Sequence, residues 1–295
     1  MSRSRLRGDE VDNETLSGRI VVMTGATSGL GAVAATTLAR RGARLVVVAR
    51  DRDRAARTLA ALRAANPGEA HAVHLADLSR LEEMKRVARD IAAAEPRIDV
   101  LVNNAGAIFG PSEPTVDGLE RTFATNHLAY MVLTLGLRGP LAAAPAARVV
   151  STASAAHRSV RFDPADVQGR RLGMGWQRYA LSKLYNILFT RELARRWSGT
   201  GITANCFHPG VVATRFGDAT GGLMTPLIGL IKRFALTPEA GAAPLIRLAA
   251  SPDVAAVSGR YFDKGGPIAP TSAGQDDTAA AALWTASLRL ADLRD

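Results

Sequence analysis

The chain reads as an α/β fold, a doubly wound parallel sheet of seven strands with helices on both faces. Three observations predict it. Short apolar runs alternate with helical patterns from residue 19 to about 262. The strand-like runs are continuously apolar, as when helices cover both faces of a sheet. A glycine-rich turn joins the first run to the first helical segment.

Taken in order, strands are expected at 19–24, 44–49, 72–75, 99–103, 148–152, 203–208 and 260–262. Helices are expected at 29–41, 53–65, 80–94, 117–137, 176–197, 238–250 and 278–290. No linker composition interrupts the series, so residues 17–295 are taken as a single domain. A flexible basic arm with Arg3, Arg5 and Arg7 precedes it over 1–16. Two longer irregular stretches, 155–175 and 213–237, follow strand ends, where such sheets bind their ligands. In the second, Leu223, Leu227, Ile228, Leu230, Ile231 and Phe234 recur at helical spacing. They serve either as packing or as a lid over an apolar substrate.

Apolar residues make up 47% of the chain, enough for a sizeable core. The net charge of +10 is carried almost wholly by arginine, with lysine only at Lys85, Lys183, Lys232 and Lys264. These arginines are scattered over helix faces and form no basic helix, so no nucleic-acid partner is expected. Cys206 is the sole cysteine, which excludes an internal disulfide, and its apolar run marks it as a buried small hydrophobe. No stretch reaches the roughly 18 apolar residues of a spanning helix. A cytoplasmic protein with no membrane anchor is therefore expected. His71, His74, His127, His157 and His208 show no metal-ligand spacing, and no metal is expected.

The turn after the first strand is Thr24-Gly25-Ala26-Thr27-Ser28-Gly29-Leu30-Gly31. Glycines here allow a sharp turn and close approach of a pyrophosphate, and the following helix aims free N–H groups at it. The flanking strand and helix are the context such a motif requires. At the end of the second strand, a carboxylate would bond a ribose 2′-hydroxyl. Ala49 stands there instead, followed by Arg50, whose guanidinium suits a 2′-phosphate. This favours NADP(H) over NAD(H).

Tyr179 and Lys183 are four residues apart and share one helix face. An ordinary tyrosine titrates near pH ~10, and a neighbouring ammonium lowers that value. Alone, such a pair is usually a surface pair. Its company is specific: Asn103-Asn104-Ala105-Gly106, Asn126, Ser154 and Pro209-Gly210 occur in order around it. Together these motifs resemble the short-chain dehydrogenase/reductase family, a Rossmann fold, over residues 17–292. Asn126-His127-Leu128, Ala155-Ala156-His157, Gly259-Arg260-Tyr261-Phe262 and Leu283-Trp284 are similar to one branch in particular. That branch holds retinol dehydrogenases, the oxidoreductase attached to WW domains, and light-dependent protochlorophyllide reductase.

The resemblance implies an oxidoreductase that moves a hydride between NADP(H) and a carbonyl or alcohol, and the apolar series at 223–234, read as a lid, points to a lipophilic one. In it Tyr179 is the general acid/base, and Lys183 holds the nicotinamide ribose and lowers the tyrosine pKa. Ser154 bonds the substrate oxygen, and Asn126 bends its helix and holds a water linking Lys183 to solvent. Ser151 and Thr152 are rival hydroxyls; the Ala155-Ala156-His157 register selects Ser154. The cofactor set is Gly25, Thr27, Ser28, Gly29, Leu30, Gly31, Arg50, Asp77, Leu78, Asn103, Ala105, Gly106, Tyr179, Lys183, Pro209, Gly210, Val212 and Thr214. Ser28 departs from the basic residue many NADP-using relatives carry, so the preference rests on Arg50, with Arg52 beside it. His157 either lines the substrate cleft with Ser154 and Tyr179 or steadies its loop. Trp176 either walls the pocket or packs at the helix start. Family members also imply a homodimer or homotetramer through the helices at 117–137 and 176–197. A regulator that kept the fold without turnover is the alternative, and the complete Ser154/Tyr179/Lys183 set argues against it.

Overall fold

A computed structural model describes residues 15–110, 113–210 and 236–294. Eight strands form one sheet: β1 (Ile20–Thr24), β2 (Arg44–Ala49), β3 (Ala72–Leu75), β4 (Val100–Asn103), β5 (Arg148–Thr152), β6 (Thr203–Phe207), β7 (Arg260–Asp263) and β8 (Gly266–Ile268). Their spatial order is β3-β2-β1-β4-β5-β6-β7-β8. All neighbours are parallel except β7 and β8. The order reverses between β1 and β4, which opens a crevice at the carboxyl ends of those strands.

The helices are α1 (Gly29–Arg40), α2 (Arg52–Ala65), α3 (Leu81–Ala94), α4 (Arg121–Phe123), α5 (Ala129–Gly136), α6 (Arg138–Ala142), α7 (Gly175–Arg196), α8 (Pro238–Ala250) and α9 (Asp277–Ala291). Successive strand side chains point to opposite faces, and both faces are covered. Val22 and Leu101 pack with Met84, Leu133, Leu184 and Trp284 of α3, α5, α7 and α9. Val21, Met23 and Val102 pack with Leu38, Leu62 and Leu245 of α1, α2 and α8. The doubly wound core is why these strands read as unbroken apolar runs.

Three expectations are corrected. The sheet has eight strands rather than seven, because the chain hairpins after β7 and Pro267 pairs with Phe262. Glycine and proline hide this strand in the sequence, and proline is tolerated there because β8 is an edge. The helix expected at 117–137 starts only at Arg121, where Glu120 accepts from the Phe123 amide at 2.7 Å. It then passes through a π-turn, Ala124–Leu128, before continuing as α5. Leu16, assigned to the arm, is buried, and its amide donates to the Arg41 carbonyl at 2.6 Å.

Candidate active site

The site is assembled where β1, β4, β5 and β6 end. Thr24 closes β1, and its Oγ1 accepts from the amides of Asn104 and Ala105 at 2.9 and 3.0 Å. The Asn104 amide nitrogen donates to the Gly25 carbonyl at 3.0 Å, and its oxygen accepts from the Thr152 hydroxyl at 2.9 Å. One side chain thus ties the glycine turn to β5. Gly25 and Gly29 have φ of 69° and 54°, a left-handed conformation side chains disfavour. A Cβ at Gly31 would lie 2.0 Å from the Gly25 oxygen. The α1 N-cap, Ser28, makes no side-chain cap bond, so the first amides of α1 are left to a ligand or solvent. Thr27 and Leu30 flank this cradle half-buried. A pyrophosphate fits the arrangement: free helix amides beside a backbone that has no room for side chains.

At the end of β2, Arg50 is exposed and makes no hydrogen bond or ion pair among the described residues. The adjacent Asp51 caps α2, accepting from the Arg54 amide at 2.8 Å. That bond holds its carboxyl below the usual carboxylate range. Arg52 is exposed as well. After β3, Asp77 Oδ1 accepts from the Ser79 amide at 3.0 Å, and Leu78 is buried beside it. Asn103 is buried in β4 and donates to the Thr134 hydroxyl at 3.0 Å, away from solvent.

Ser154 ends the loop after β5 and caps a short 3-10 turn, Ala155–Ser159. Its hydroxyl lies close enough to Tyr179 on α7 to favour the phenolate, opposing the effect of burial. The rivals are otherwise placed: the Thr152 hydroxyl donates to Asn104, and the Ser151 hydroxyl is buried without a partner. Lys183, one turn along α7, is 2% exposed and donates to the Thr152 carbonyl at 2.9 Å. Asn186 Nδ2 donates to the same carbonyl at 3.1 Å. The Lys183 ammonium lies 5.5 Å from the Tyr179 ring.

Burial decides the charges here. It pushes the Tyr179 phenol up to about 12, against the opposing Ser154 hydrogen bond. Burial also lowers Lys183 to about 7. Lys183, expected to lower the tyrosine, is not among the groups that shift it here. Desolvation weakens the ammonium charge itself and disfavours the phenolate.

Asn126 sits in the π-turn, fully buried. Its Oδ1 accepts from the Ala107 amide at 3.0 Å, and its Nδ2 donates to the Ala107 carbonyl at 2.9 Å and to the Ser182 hydroxyl at 3.1 Å. It is a clamp between the Gly106 loop and α7. A Cβ at Gly106 would stand 3.3 Å from Asn126 Oδ1 and 3.4 Å from Lys183 Nζ. Ala105 is held by Tyr130, whose hydroxyl donates to its carbonyl at 2.9 Å. After β6, Gly210 has φ of 82°, and its amide donates to His208 Nδ1 at 3.1 Å. Val212, Thr214 and most of the 213–237 stretch, with its apolar series, lie outside the described residues.

Of the two substrate-side expectations, Trp176 is 49% exposed with its ring 5.6 Å from that of Tyr179. His157 instead is fully buried, with both ring nitrogens bonded to backbone at Ser154 and Thr271. Its loop-steadying role is the one these bonds describe. Thr24, Asn104, Tyr130, Ser182 and Asn186 were missed as site residues. Thr24 and Asn104 stood within quoted motifs; the others look like ordinary core positions until the strand ends converge. Cys206 is buried, and burial pushes its thiol up to about 12. Among the described residues no helix is long and apolar enough to cross a membrane, and no group of His, Cys, Asp or Glu could hold a metal.

The sequence model of the short chain dehydrogenase family matches residues 19–221. Retinol dehydrogenase 13 from Homo sapiens is 36% identical over 290 residues, spanning 95% of this chain and 86% of that protein. Retinol dehydrogenase 14 from Mus musculus is 38% identical over 291 residues, spanning 94% and 86%. Among solved structures, an uncharacterized protein from Mycobacterium Paratuberculosis has a TM-score of 0.75 at 34% identity, with 96% of this chain and 97% of that chain covered. A short chain dehydrogenase from Burkholderia cenocepacia J2315, in complex with NADP, has a TM-score of 0.67 at 26% identity, with 84% and 97% covered. The chain belongs to the short chain dehydrogenase family of nicotinamide-dependent oxidoreductases. Within that family it stands in the retinol dehydrogenase branch.

Proposed function

We propose that this protein is an NADP(H)-dependent oxidoreductase that interconverts a lipophilic carbonyl compound and its alcohol, with Tyr179 as the proton-transferring group. The observation that carries the reading is the Ser154–Tyr179 hydroxyl pair beside Lys183, at the strand ends that also form the glycine cradle.

The turn from Gly25 to Gly31 with Asn103, Ala105 and Gly106 would hold the dinucleotide, Asp77 and Leu78 its adenine edge, and Pro209, Gly210, Val212 and Thr214 its nicotinamide end. Arg50, unpartnered among the described residues, would take a 2′-phosphate. When bound, the nicotinamide supplies or accepts the hydride. Ser154 donates a hydrogen bond to the substrate oxygen and spreads the charge that develops there. Tyr179 Oη gives its proton to that same oxygen. A phenol held at about 12 is protonated at neutral pH, which is the form reduction needs. Lys183 would steady the ribose, and its position near 7 lets it follow the proton balance of the site.

Trp176, 49% exposed at the start of α7 with its ring 5.6 Å from that of Tyr179, offers an apolar wall, and Met174 just before it is 60% exposed. Together with relatives named for retinol, this favours a bulky apolar substrate. The test is a carbonyl panel, retinal included, run with NADPH and NADH. On any compound the wild type reduces, Tyr179→Phe is expected to lower kcat by roughly 100-fold or more while NADPH affinity stays the same. A Phe variant with wild-type kcat would overturn the reading.

A further inference from the structure

We propose that His157 is a positioning residue that sets the catalytic serine through one fixed tautomer, anchored by the segment that follows β8. This rests on the reading that Ser154 donates to the substrate oxygen.

His157 Nδ1 lies 2.7 Å from the Ser154 carbonyl oxygen. A carbonyl can only accept, so Nδ1 carries the hydrogen. The Thr271 amide donates to Nε2 at 3.3 Å. A backbone N–H can only donate, so Nε2 carries the lone pair. Both partners are main-chain groups with fixed roles, and both demand the same neutral form. The ring is fully buried, and burial lowers its basicity, in keeping with that form. Its remaining face packs edge-on against Tyr261 of β7, with centroids 5.2 Å apart.

The effect falls on Ser154. Its own hydroxyl accepts from the Ala156 amide at 3.2 Å, and the next amide, Ala155, donates to His208 Nδ1 at 3.4 Å. The Ser154 carbonyl accepts from the His157 main-chain amide at 3.2 Å, and the ring Nδ1–H adds a second, shorter bond to the same oxygen. Fixing that peptide fixes the direction of the Ser154 Cα–Cβ bond toward Tyr179. Thr271 precedes a short 3-10 turn, Ser272–Gln275, that leads into α9. A chain segment remote in sequence thereby holds the ring that holds the serine.

Two amide substitutions separate the two bonds. In His157→Asn the side-chain nitrogen falls near the Nδ1 position and can donate to Ser154. In His157→Gln the amide reaches the Nε2 position and can accept from Thr271, leaving the Ser154 carbonyl with only the main-chain bond from residue 157. Loss of the side-chain bond is expected to lower kcat of the Gln variant roughly tenfold, with the Asn variant within about threefold of wild type. NADPH affinity by fluorescence titration should be unchanged in both, and both should melt lower by similar amounts. Parallel loss of kcat and melting temperature in the two variants, or wild-type kcat in both, would overturn the proposal. Ser154→Ala runs beside them. If it retains full turnover, the reading of Ser154 fails; if it is dead while His157→Gln is fully active, only the positioning role fails. Should neither His157 variant fold, Thr271→Pro removes the anchoring N–H at a residue whose φ of −59° suits proline. A kcat lowered about fivefold with NADPH affinity kept is then expected, and an unchanged kcat would overturn the proposal.

Discussion

The ammonium nitrogen of Lys183 donates to the main-chain carbonyl of Thr152 at 2.9 Å, inside a site that leaves the lysine 2% exposed. A single neutral acceptor does not repay the desolvation of a charge, and burial lowers this lysine to about 7. The consequence for stability has a definite sign. Between pH 7 and the ordinary lysine value, the unfolded chain holds a proton that the folded chain has released. Stability of the cofactor-free protein should therefore rise with pH across that window, with a slope on the order of 1 kcal/mol per pH unit from this group. Below pH 7 both states are charged, and the cost is constant. Urea midpoints measured from pH 6 to pH 9.5 should show the rise in the wild type and a flatter line in Lys183→Met.

In the proposed reading Arg50 would take the 2′-phosphate, while the adjacent Asp51 caps α2. Replacing Arg50 with Gln removes a charge-assisted contact to a 2′-phosphate and nothing that an unphosphorylated ribose needs. The expected result is a KM for NADPH raised roughly 10- to 100-fold, with kinetics on NADH unchanged. Equal changes with both cofactors would show that Arg50 does not read the phosphate.

Two glycines of different surroundings test the cradle. Gly31→Ala sets a methyl 2.0 Å from the Gly25 carbonyl, a backbone atom held in turn by Asn104. NADPH binding should be lost, and stability should fall by about 1–3 kcal/mol from overpacking. Gly110→Ala meets nothing within 4 Å and should leave both unchanged. Calorimetric titration and thermal melts of the two variants make the comparison.

The helix bearing Tyr179 is pinned by a buried ion pair. Arg178 Nε and Glu120 Oε1 are 3.5 Å apart, and each side chain is 2% exposed. The guanidinium also donates to the carbonyls of Leu172 and Gly110, while Glu120 caps α4. Arg178→Met leaves the carboxylate buried without its cation. It should cost about 3–5 kcal/mol in chemical denaturation, and Arg178→Met with Glu120→Gln should recover part of the loss. An additive double variant would mean that the two charges do not depend on each other.

Much of the site was legible because its signals are local. The glycine turn declares itself by residues seven or fewer apart, and Tyr179 and Lys183 share a helix face by a spacing of four. The β8 strand was not legible, since Gly266-Pro267-Ile268 carries no strand pattern and forms only by pairing with β7. The missed residues Asn104, Tyr130 and Asn186 act through carbonyls at or just beyond the ends of β1, β4 and β5, and nothing in their own neighbourhood says which.

By itself, then, the sequence determined the doubly wound architecture, the cradle at the end of β1 and the tyrosine–lysine pair, because periodicity and turn chemistry are properties of neighbouring residues. Only the tertiary structure decided that Ser154 meets Tyr179 while Thr152 turns to Asn104, and that His157 faces inward onto two backbone groups. It also decided that burial raises the phenol and lowers the lysine. Those outcomes depend on how far apart residues distant in sequence come to lie and on how much water their packing removes.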